Sequence, residues 1–184
     1  MKRQKISLAL AVISCGIFIT LSLLNTPQSL ATQQARISRI IDGDTLEVTM
    51  SQCRIPWEGN SQLCRLQLAC IDGPDYGDSP FFEAAKSRLE TLIPRGAIVL
   101  VSDTGKSSHK RIVAEVFKDN TSINLQLVKE GKASLFCKHL NDTCPNSKGA
   151  YLNAQNSARQ AGLGIWNSQQ FWVKARICKK NNKR

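Results

Sequence analysis

Two groups of aspartates stand where predicted strands end. Asp42 and Asp44 flank Gly43, and Asp72 and Asp75 flank a Gly-Pro pair. Turns at strand ends can bring carboxylates from distant parts of a chain to one point, and oxygen ligands of this kind suit Ca²⁺ or Mg²⁺. Taken singly, each group is also ordinary turn chemistry, because Asp-Gly and Pro-Asp are common in turns.

A basic residue of possible chemical use is Arg111, which opens an alternating strand after a polar, basic loop at residues 103–110. A guanidinium can bind a phosphate through two parallel hydrogen bonds and stabilise the charge that develops in phosphoryl transfer. Taken alone, an arginine at the start of a strand is more often simply solvent-exposed. Its chemical role therefore depends on the residues that the fold places beside it.

The predicted strands and helices that must position these residues indicate an α+β fold. Apolar alternation predicts five short strands, and 3.6-residue periodicity with capping and stop residues predicts three helices. The strands are expected at 36–40, 45–50, 64–71, 97–102 and 111–117, and the helices at 81–93, 122–131 and 151–162. This order fits a small β-barrel capped by helices.

The N-terminus predicts a targeting segment. A basic start is followed by an uncharged, mostly apolar stretch at residues 6–24 and by small residues around Ala31, where a signal peptidase could cleave. Residues 1–31 are therefore expected to be a signal peptide. An uncleaved membrane anchor is the alternative, because 19 apolar residues just span a bilayer. In both cases the following domain is exported, and any membrane association runs through this segment.

Composition and charge limit the class of protein. The chain has 184 residues, of which 42% are hydrophobic and 21% charged, so wholesale disorder is excluded and one domain with a real core is expected. The net charge is +11, and +8 remains without residues 1–31. The basic tail at 168–184 contributes to this excess. Such a charge favours a polyanion: nucleic acid, anionic polysaccharide or a membrane surface.

Six cysteines follow the targeting segment, and an even number in an exported domain predicts up to three disulfides. Fifteen connectivities are possible. Short loops favour two pairs and leave a third: Cys53–Cys64, Cys137–Cys144 and Cys70–Cys178. Without a CxxC pair or a histidine cluster, a zinc site is not expected.

Several segments, in order and at compatible spacing, resemble the staphylococcal nuclease (thermonuclease) family. They are IDGDT at 41–45, RLQLACIDGPD at 65–75, KRIVAEVF at 110–117, INLQLVKEGKA at 123–133 and GLGIW at 162–166. The resemblance implies an OB-type five-stranded barrel with three helices, assigned here to residues 36–167. It also implies Ca²⁺-dependent hydrolysis of phosphodiester bonds in DNA and RNA.

The resemblance implies roles for individual residues. Asp44 and Asp72 match the calcium-ligand aspartates, and Gly73 stands where the family offers a main-chain carbonyl to the metal. Arg111 matches a catalytic arginine. Asp75 takes the position of the general base, which is a glutamate in the family. Aspartate is one methylene shorter, and a misplacement of about an ångström can cost on the order of 10²-fold in rate.

A second departure concerns positive charge. The family's first catalytic arginine is replaced by Gln67, which can donate a hydrogen bond to phosphate but carries no charge. Arg65 lies two residues earlier on the same strand face, about 6.5–7 Å away. Its long side chain is therefore expected to supply part of the missing charge, so that both Arg65 and Gln67 are counted with the catalytic residues.

Substrate contacts are implied for three further residues. His109 stands in place of an aromatic residue that packs on the substrate, and Lys110 lies beside it in the same loop. Phe136 could supply a stacking face for a base. Simple core packing is the more ordinary role for that phenylalanine.

Three functions are compatible with parts of the sequence. An exported, calcium-dependent nuclease is favoured. A nucleic-acid-binding module of the same fold with weakened catalysis is the alternative, and Gln67 and Asp75 keep it open. A polysaccharide-binding envelope protein would use the basic surface, but it would not explain two aspartate turns and an arginine in family order. No stable protein partner is implied.

Overall fold

The computed structural model describes residues 32–138 and 140–168, and their secondary structure is as follows. Strands β1 to β9 span Gln33–Ile40, Thr45–Met50, Pro56–Trp57, Asn60–Leu68, Ile71–Asp72, Ile98–Ser108, Arg111–Lys118, Thr121–Ser122 and Ser134–Leu135. Helices α1 to α4 span Phe81–Leu92, Ile123–Lys129, Leu140–Thr143 and Lys148–Gln160. A 3-10 helix follows at Gly164–Asn167.

The five long strands close into a barrel. Antiparallel pairing runs in the order β4, β2, β1, β6, β7, and a parallel contact between β7 and β4 completes the circle. In that contact Leu66 faces Ile112 and Leu68 faces Ala114. The predicted α+β class and five-stranded barrel are thereby confirmed. Three helices have seven or more residues, and α3 adds a fourth helix of four residues.

Strict alternation along the strands explains why this barrel forms. In β4, Cys64, Leu66 and Leu68 are buried in the barrel core, whereas Arg65 and Gln67 alternate with them and stay partly exposed. Successive side chains of a strand point to opposite faces of the sheet. The polar positions of β4 therefore lie on the outer face of the barrel, where the neighbouring strands add their own polar positions.

Strand register places three strands of the outer face side by side. Gln67 on β4 is paired with Thr45 on β2 and with Val113 on β7. Arg111 lies two residues before Val113 and so on the same face of β7. The predicted site residues of β4 and β7 are therefore neighbours because of the barrel register, although 44 positions separate Gln67 from Arg111.

Two of the predicted strands have different bounds in the structure. The predicted strand 64–71 divides, because the backbone turns at Cys70 with a φ of 70° and then pairs with β9 as β5. The predicted loop 103–110 is mostly strand, because β6 continues to Ser108 opposite Arg111. Only His109 and Lys110 form the turn. Both have positive φ, as a two-residue type I′ hairpin requires.

A buried amide ties helix α2 to the barrel. Asn124 is fully buried in an otherwise apolar helix face. Its Oδ1 accepts a hydrogen bond of 3.0 Å from Val116 N, and its Nδ2 donates to the carbonyls of Ala69 and Ala114. A buried amide with every bond satisfied fixes the elements it joins. Asn124 thus holds the end of β4 in place, three residues before Asp72.

The short-loop prediction for the first disulfide is confirmed. Cys53 and Cys64 are bonded, with their Cα atoms 5.6 Å apart. This bridge fixes the loop before β3 to strand β4.

The other two predicted disulfides are wrong, because Cys70 is bonded to Cys144. Phe136 N donates to the carbonyl of Cys70 at 2.9 Å, which brings the chain after β9 back to the β4–β5 turn. Helix α3 then ends beside Cys70, with the two Cα atoms 6.2 Å apart. Cys137 is also disulfide-bonded, and Cys178 lies outside the described residues.

The predicted targeting segment at 1–31 and nearly all of the tail at 168–184 lie outside the described residues. Within 32–138 and 140–168, no helix has the length and apolar character needed to cross a membrane.

Candidate active site

One cavity of 540 Å³ collects most of the predicted site. It is formed by the turn after β1, the outer face of β4, the loop after β5 and the start of β7. The predicted site residues that line it are Asp44, Gln67, Asp72, Gly73, Asp75 and Arg111. Segments separated by many residues in sequence thus place their carboxylates and one guanidinium around a common space.

Asp44 is held firmly at this cavity. The turn before it is closed by Asp42, whose Oδ1 accepts hydrogen bonds from the backbone N–H groups of Asp44 and Thr45 at 2.9 and 2.6 Å. Burial, assisted by the negative charge of Asp42, raises the pKa of Asp44 to about 7, although hydrogen bonds to its carboxylate oppose this shift. A positive charge placed in the cavity would stabilise the ionised form.

The turn that carries Asp44 packs against helix α1 at Gly43. A Cβ atom at this position would lie 2.7 Å from the Cβ of Ala85, a buried residue of α1. Real Cβ atoms do not approach so closely, so a glycine is required here. The helix thereby sets the position of the Asp42–Asp44 turn.

Gly73 makes direct contact with the Asp44 carboxylate. Its backbone N–H donates to Asp44 Oδ2 at 2.8 Å. A Cβ at Gly73 would lie 3.3 Å from the Cβ, Cγ and Oδ2 of Asp44, which is tighter than ordinary contact. Glycine therefore lets the loop after β5 approach Asp44 closely and joins the two predicted metal-binding segments.

Asp72 is positioned by a small second sheet. It lies in β5 opposite Ser134 of β9. Strand β9 is fixed in turn by Gln155, a buried residue of α4 whose Oε1 accepts a hydrogen bond of 2.9 Å from Leu135 N. Sequence reasoning missed both buried amides, Asn124 and Gln155. The signal was present as polar residues within apolar helix faces.

Arg111 is linked to Asp44 through Thr45. Its Nη1 donates to Thr45 Oγ1 at 3.0 Å, and its Nε donates to the carbonyl of Ser108 at 3.2 Å. The Thr45 hydroxyl donates to Asp44 Oδ1 at 3.1 Å. These bonds orient the guanidinium at the cavity, while Nη2 has no hydrogen-bond acceptor within the part of the chain that the structure describes.

A larger cavity of 790 Å³ adjoins the first. The two share Gln67, Asp72 and Arg111, and the larger one also contains His109 and the half-buried Phe136. The aromatic rings predicted to contact substrate therefore lie on one side of the shared residues. Lys110 is exposed at the hairpin tip and lines neither cavity.

Arg65 shares a strand face with Gln67, as alternation predicts, but it is bound elsewhere. Its Nη2 and Nε donate to Glu47 Oε1 at 2.5 and 3.1 Å, and its guanidinium carbon lies 3.5 Å from the centre of the Trp57 ring. Arg65 lines neither cavity. The side chain is held by its ion pair and its aromatic neighbour instead of projecting toward Gln67.

Glu47 is the anchor of this ion cluster. Its side chain is only 7% exposed and also accepts two hydrogen bonds from Arg39. Burial alone would raise the pKa of Glu47, but the hydrogen bonds and charges of Arg39 and Arg65 together outweigh burial and lower it. The glutamate is therefore ionised over a wide pH range in the folded protein.

We expect Glu47→Gln to lower the free energy of unfolding by about 2 kcal/mol near neutral pH, because two arginines lose their ion-pair partner. The loss is not larger because one of them, Arg39, is well exposed. Since the folded pKa is lowered, this contribution is complete above the ordinary value of 4.5 and is lost as pH falls through the folded pKa. Urea unfolding of both proteins checks this. The difference should shrink at about pH 3, and a difference independent of pH would contradict it.

The donors at the first cavity fit a hard divalent cation of the calcium type. Asp44 and Asp72 offer carboxylate oxygens, and the backbone of Gly73 offers a carbonyl. Among residues 32–138 and 140–168, no three Asp, Glu, His or Cys side chains are grouped closely enough to hold a metal by themselves. Backbone carbonyls and water would have to complete the six to eight oxygen ligands that Ca²⁺ takes.

Comparison with known families agrees with this geometry. Residues 65–168 match the family described as staphylococcal nuclease homologue, a range that covers more than half of the chain. The chain belongs to the staphylococcal nuclease family. The matched range begins within β4 and contains Asp72 and Arg111, but it starts after Asp44. Asp44 nevertheless contacts the matched range, because the backbone N–H of Gly73 donates to its carboxylate.

Individual relatives carry nuclease names. A protein of Haemophilus influenzae described as an uncharacterized endonuclease is 30% identical over 131 residues, covering 71% of this chain and 65% of that protein. The SPbeta prophage-derived endonuclease YokF of Bacillus subtilis is 28% identical, covering 73% of this chain and 44% of its own length. The micrococcal nuclease of Shigella flexneri is 28% identical, and the match covers 79% of this chain and 82% of that protein. The chain thus spans less than two thirds of the first two relatives.

Proposed function

We propose that this chain is a divalent-metal-dependent endonuclease that hydrolyses phosphodiester bonds of DNA or RNA, with Ca²⁺ as the metal. The observation that supports this most strongly is the single cavity lined by Asp44, Asp72, Asp75 and Arg111. Such a set offers ligands for a cation, an acceptor for a proton and a donor for phosphoryl oxygens. The nuclease names of the relatives support the same reaction class.

Asp44 and Asp72 would hold the cation, with the Gly73 carbonyl beside them. When bound, a divalent cation supplies Lewis-acid polarisation of the phosphate and orients a water molecule. The buried setting of Asp44 supports this assignment, because no positively charged side chain of residues 32–138 and 140–168 lies within hydrogen-bond distance of its carboxylate. Thr45 and the Gly73 N–H fix the direction in which its oxygens point.

Asp75 would accept the proton from the attacking water. It is exposed at the cavity wall, and its backbone N–H is held by Asp78 Oδ2 at 3.1 Å. The short side chain must reach the water either through a movement of this loop or through a second water that relays the proton. Arg111 would donate to the phosphoryl oxygens, where negative charge increases in the transition state.

A binding module with weakened catalysis is the second candidate, and the position of Arg65 favours it more than the sequence did. Glu47 and Trp57 hold the Arg65 guanidinium away from the cavity, so Arg65 would not replace the charge absent at Gln67. The site therefore has one catalytic guanidinium, Arg111, among the described residues that line the cavity.

We also propose that the protein is exported. Cys53–Cys64 and Cys70–Cys144 are disulfides, and such bridges persist in oxidising compartments. The predicted targeting segment at 1–31 supports the same assignment. Its cleavage or retention decides between a released protein and one anchored facing outward.

The proposed function is tested by digestion of plasmid DNA, single-stranded DNA and RNA with Ca²⁺, with Mg²⁺ and with excess chelator. Cleavage of at least one substrate that requires the metal is the expected result. Salt-dependent binding without cleavage would instead establish the binding module.

We expect Arg65→Ala to lower the free energy of unfolding by about 1 kcal/mol or more while changing turnover less than about twofold, because its ion pair and ring contact are structural. In contrast, Gln67→Arg should raise turnover on the order of tenfold, since it adds a guanidinium at the cavity next to Asp44. Urea unfolding and initial rates at saturating Ca²⁺ measure the two effects separately. A large loss of turnover in Arg65→Ala with unchanged stability would return Arg65 to the catalytic residues.

A further inference from the structure

The most exposed large apolar side chain of the described residues is Tyr76. It is 92% exposed, whereas the others in this class reach 42%. Its ring contacts Phe82 of α1 with centroids 5.7 Å apart and planes at 84°, an edge-to-face arrangement. The tyrosine therefore contributes almost nothing to the core, and its place beside the candidate site is what bears on its role.

The backbone presents this ring in a defined way. Asp78 N donates to the carbonyl of Asp75 at 2.9 Å, which closes a four-residue turn around Tyr76 and Gly77. Gly77 has a φ of 97°, as the third position of a type II turn requires. The carbonyl of Asp78 then accepts from the N–H groups that open α1. The backbone of the turn is thus fixed at both ends, and it places Tyr76 at the protein surface.

The position of the ring relative to the site is specific. Tyr76 and Phe82 both line the 540 Å³ cavity together with Asp75. They do not line the larger cavity, where Phe136 and His109 lie. Gln67, Asp72 and Arg111 are common to both cavities, so the two aromatic groups line different cavities that meet at the residues proposed to act on the phosphate.

We propose that Tyr76, supported at its edge by Phe82, stacks on a nucleobase next to the scissile phosphate, in the 540 Å³ cavity that Phe136 does not line. This inference rests on the proposed function and adds a base-binding position to it. A base offers the flat apolar face that an exposed phenol ring can cover, and such stacking does not depend on which base is present. The adjacent Asp75 is then brought to the phosphate by the same short turn that carries the ring.

The test measures binding of a fluorescein-labelled single-stranded oligothymidylate, and of an abasic oligonucleotide of the same length, by anisotropy in excess chelator. Tyr76→Ala should weaken oligothymidylate binding at least about fivefold, the lower end of one base stacked on an aromatic ring. Tyr76→Phe should bind like the wild type, because it keeps the ring. On the abasic oligonucleotide, wild type and Tyr76→Ala should bind equally.

Leu100→Ala is the matched control, because Leu100 is an exposed apolar residue of β6 that lines neither of the two cavities. Equal oligothymidylate binding by wild type and Tyr76→Ala would overturn the proposal, and so would an equal loss on both oligonucleotides. Cleavage with Ca²⁺ is measured separately on the wild type. A wild type that binds but does not cleave would refute the proposed reaction while leaving the stacking result decisive.

Discussion

Replacement of either Asp44 or Asp72 by asparagine is expected to reduce phosphodiester cleavage by at least about 100-fold, because each change removes one of two charged ligands from the proposed cation site. Asparagine has the same shape as aspartate, so the loop geometry is retained. In Asp44→Asn, the amide oxygen of the new side chain can still accept the hydrogen bond that Gly73 N–H donates to Asp44 Oδ2 in the wild type. Initial rates on one oligonucleotide at saturating Ca²⁺ and calorimetric titration with Ca²⁺ should show the loss of rate and of metal binding together.

The stability of Asp44→Asn distinguishes this loss from unfolding. Burial raises the pKa of Asp44, so the ionised carboxylate is unfavourable in the folded protein when no cation is bound. In chelator above about pH 7 the variant should therefore unfold at equal or higher urea concentration than the wild type. Asp119→Asn, in the exposed turn between β7 and β8, is the control and should keep full activity. Undiminished digestion in excess chelator would contradict the metal assignment.

The barrel was predictable because its determinants are local and repeated. The alternation of Cys64, Leu66 and Leu68 with polar residues defines both the strand and its buried face. The site residues at strand ends follow from the same pattern, since turns such as Asp42–Asp44 and Asp72–Asp75 come where alternation stops. In the structure the barrel places Asp44 directly before β2, whereas the second sheet, β5 with β9, places Asp72 at the same cavity.

The position of Arg65 was not predictable in the same way. Alternation correctly places it on the face that carries Gln67, but the face of a strand does not determine where a long side chain points. Glu47 lies opposite Arg65 on β2, and Trp57 lies in the adjacent strand β3. Both partners depend on register, which a single sequence does not specify. The ion pair with Glu47 and the contact with Trp57 therefore determine where the Arg65 guanidinium lies.

Two of the three predicted disulfides were wrong for a related reason. Short loops favour pairing when nothing else orders the chain, and Cys53–Cys64 follows that preference. Cys70 instead finds Cys144 across 74 residues because β5 pairs with β9 and α3 follows directly. The two-residue strands involved are too short to show alternation. The bridge that adjoins the Asp72 segment was consequently invisible in the sequence.

Replacement of Arg111 by alanine should lower turnover by about 100- to 1,000-fold, the range found when one preorganised donor to a developing oxyanion is removed. The structure strengthens this expectation beyond the sequence. Ser108 and Thr45 fix two of the guanidinium nitrogens, so the group is oriented before substrate arrives. With Gln67 neutral and Arg65 bound to Glu47, no second guanidinium at the described cavity can compensate.

The pattern of kinetic constants tests the role itself. A donor that acts mainly on the transition state lowers kcat while KM changes little, whereas a donor that only binds phosphate raises KM. We expect the first pattern for Arg111→Ala. Arg111→Lys should recover part of the rate, because a lysine keeps the charge but loses the fork that contacts Thr45 and Ser108 together. Arg95→Ala removes an exposed charge after α1 and should match the wild type. A raised KM with unchanged kcat in Arg111→Ala would assign this arginine to substrate binding and would contradict its proposed action on the transition state.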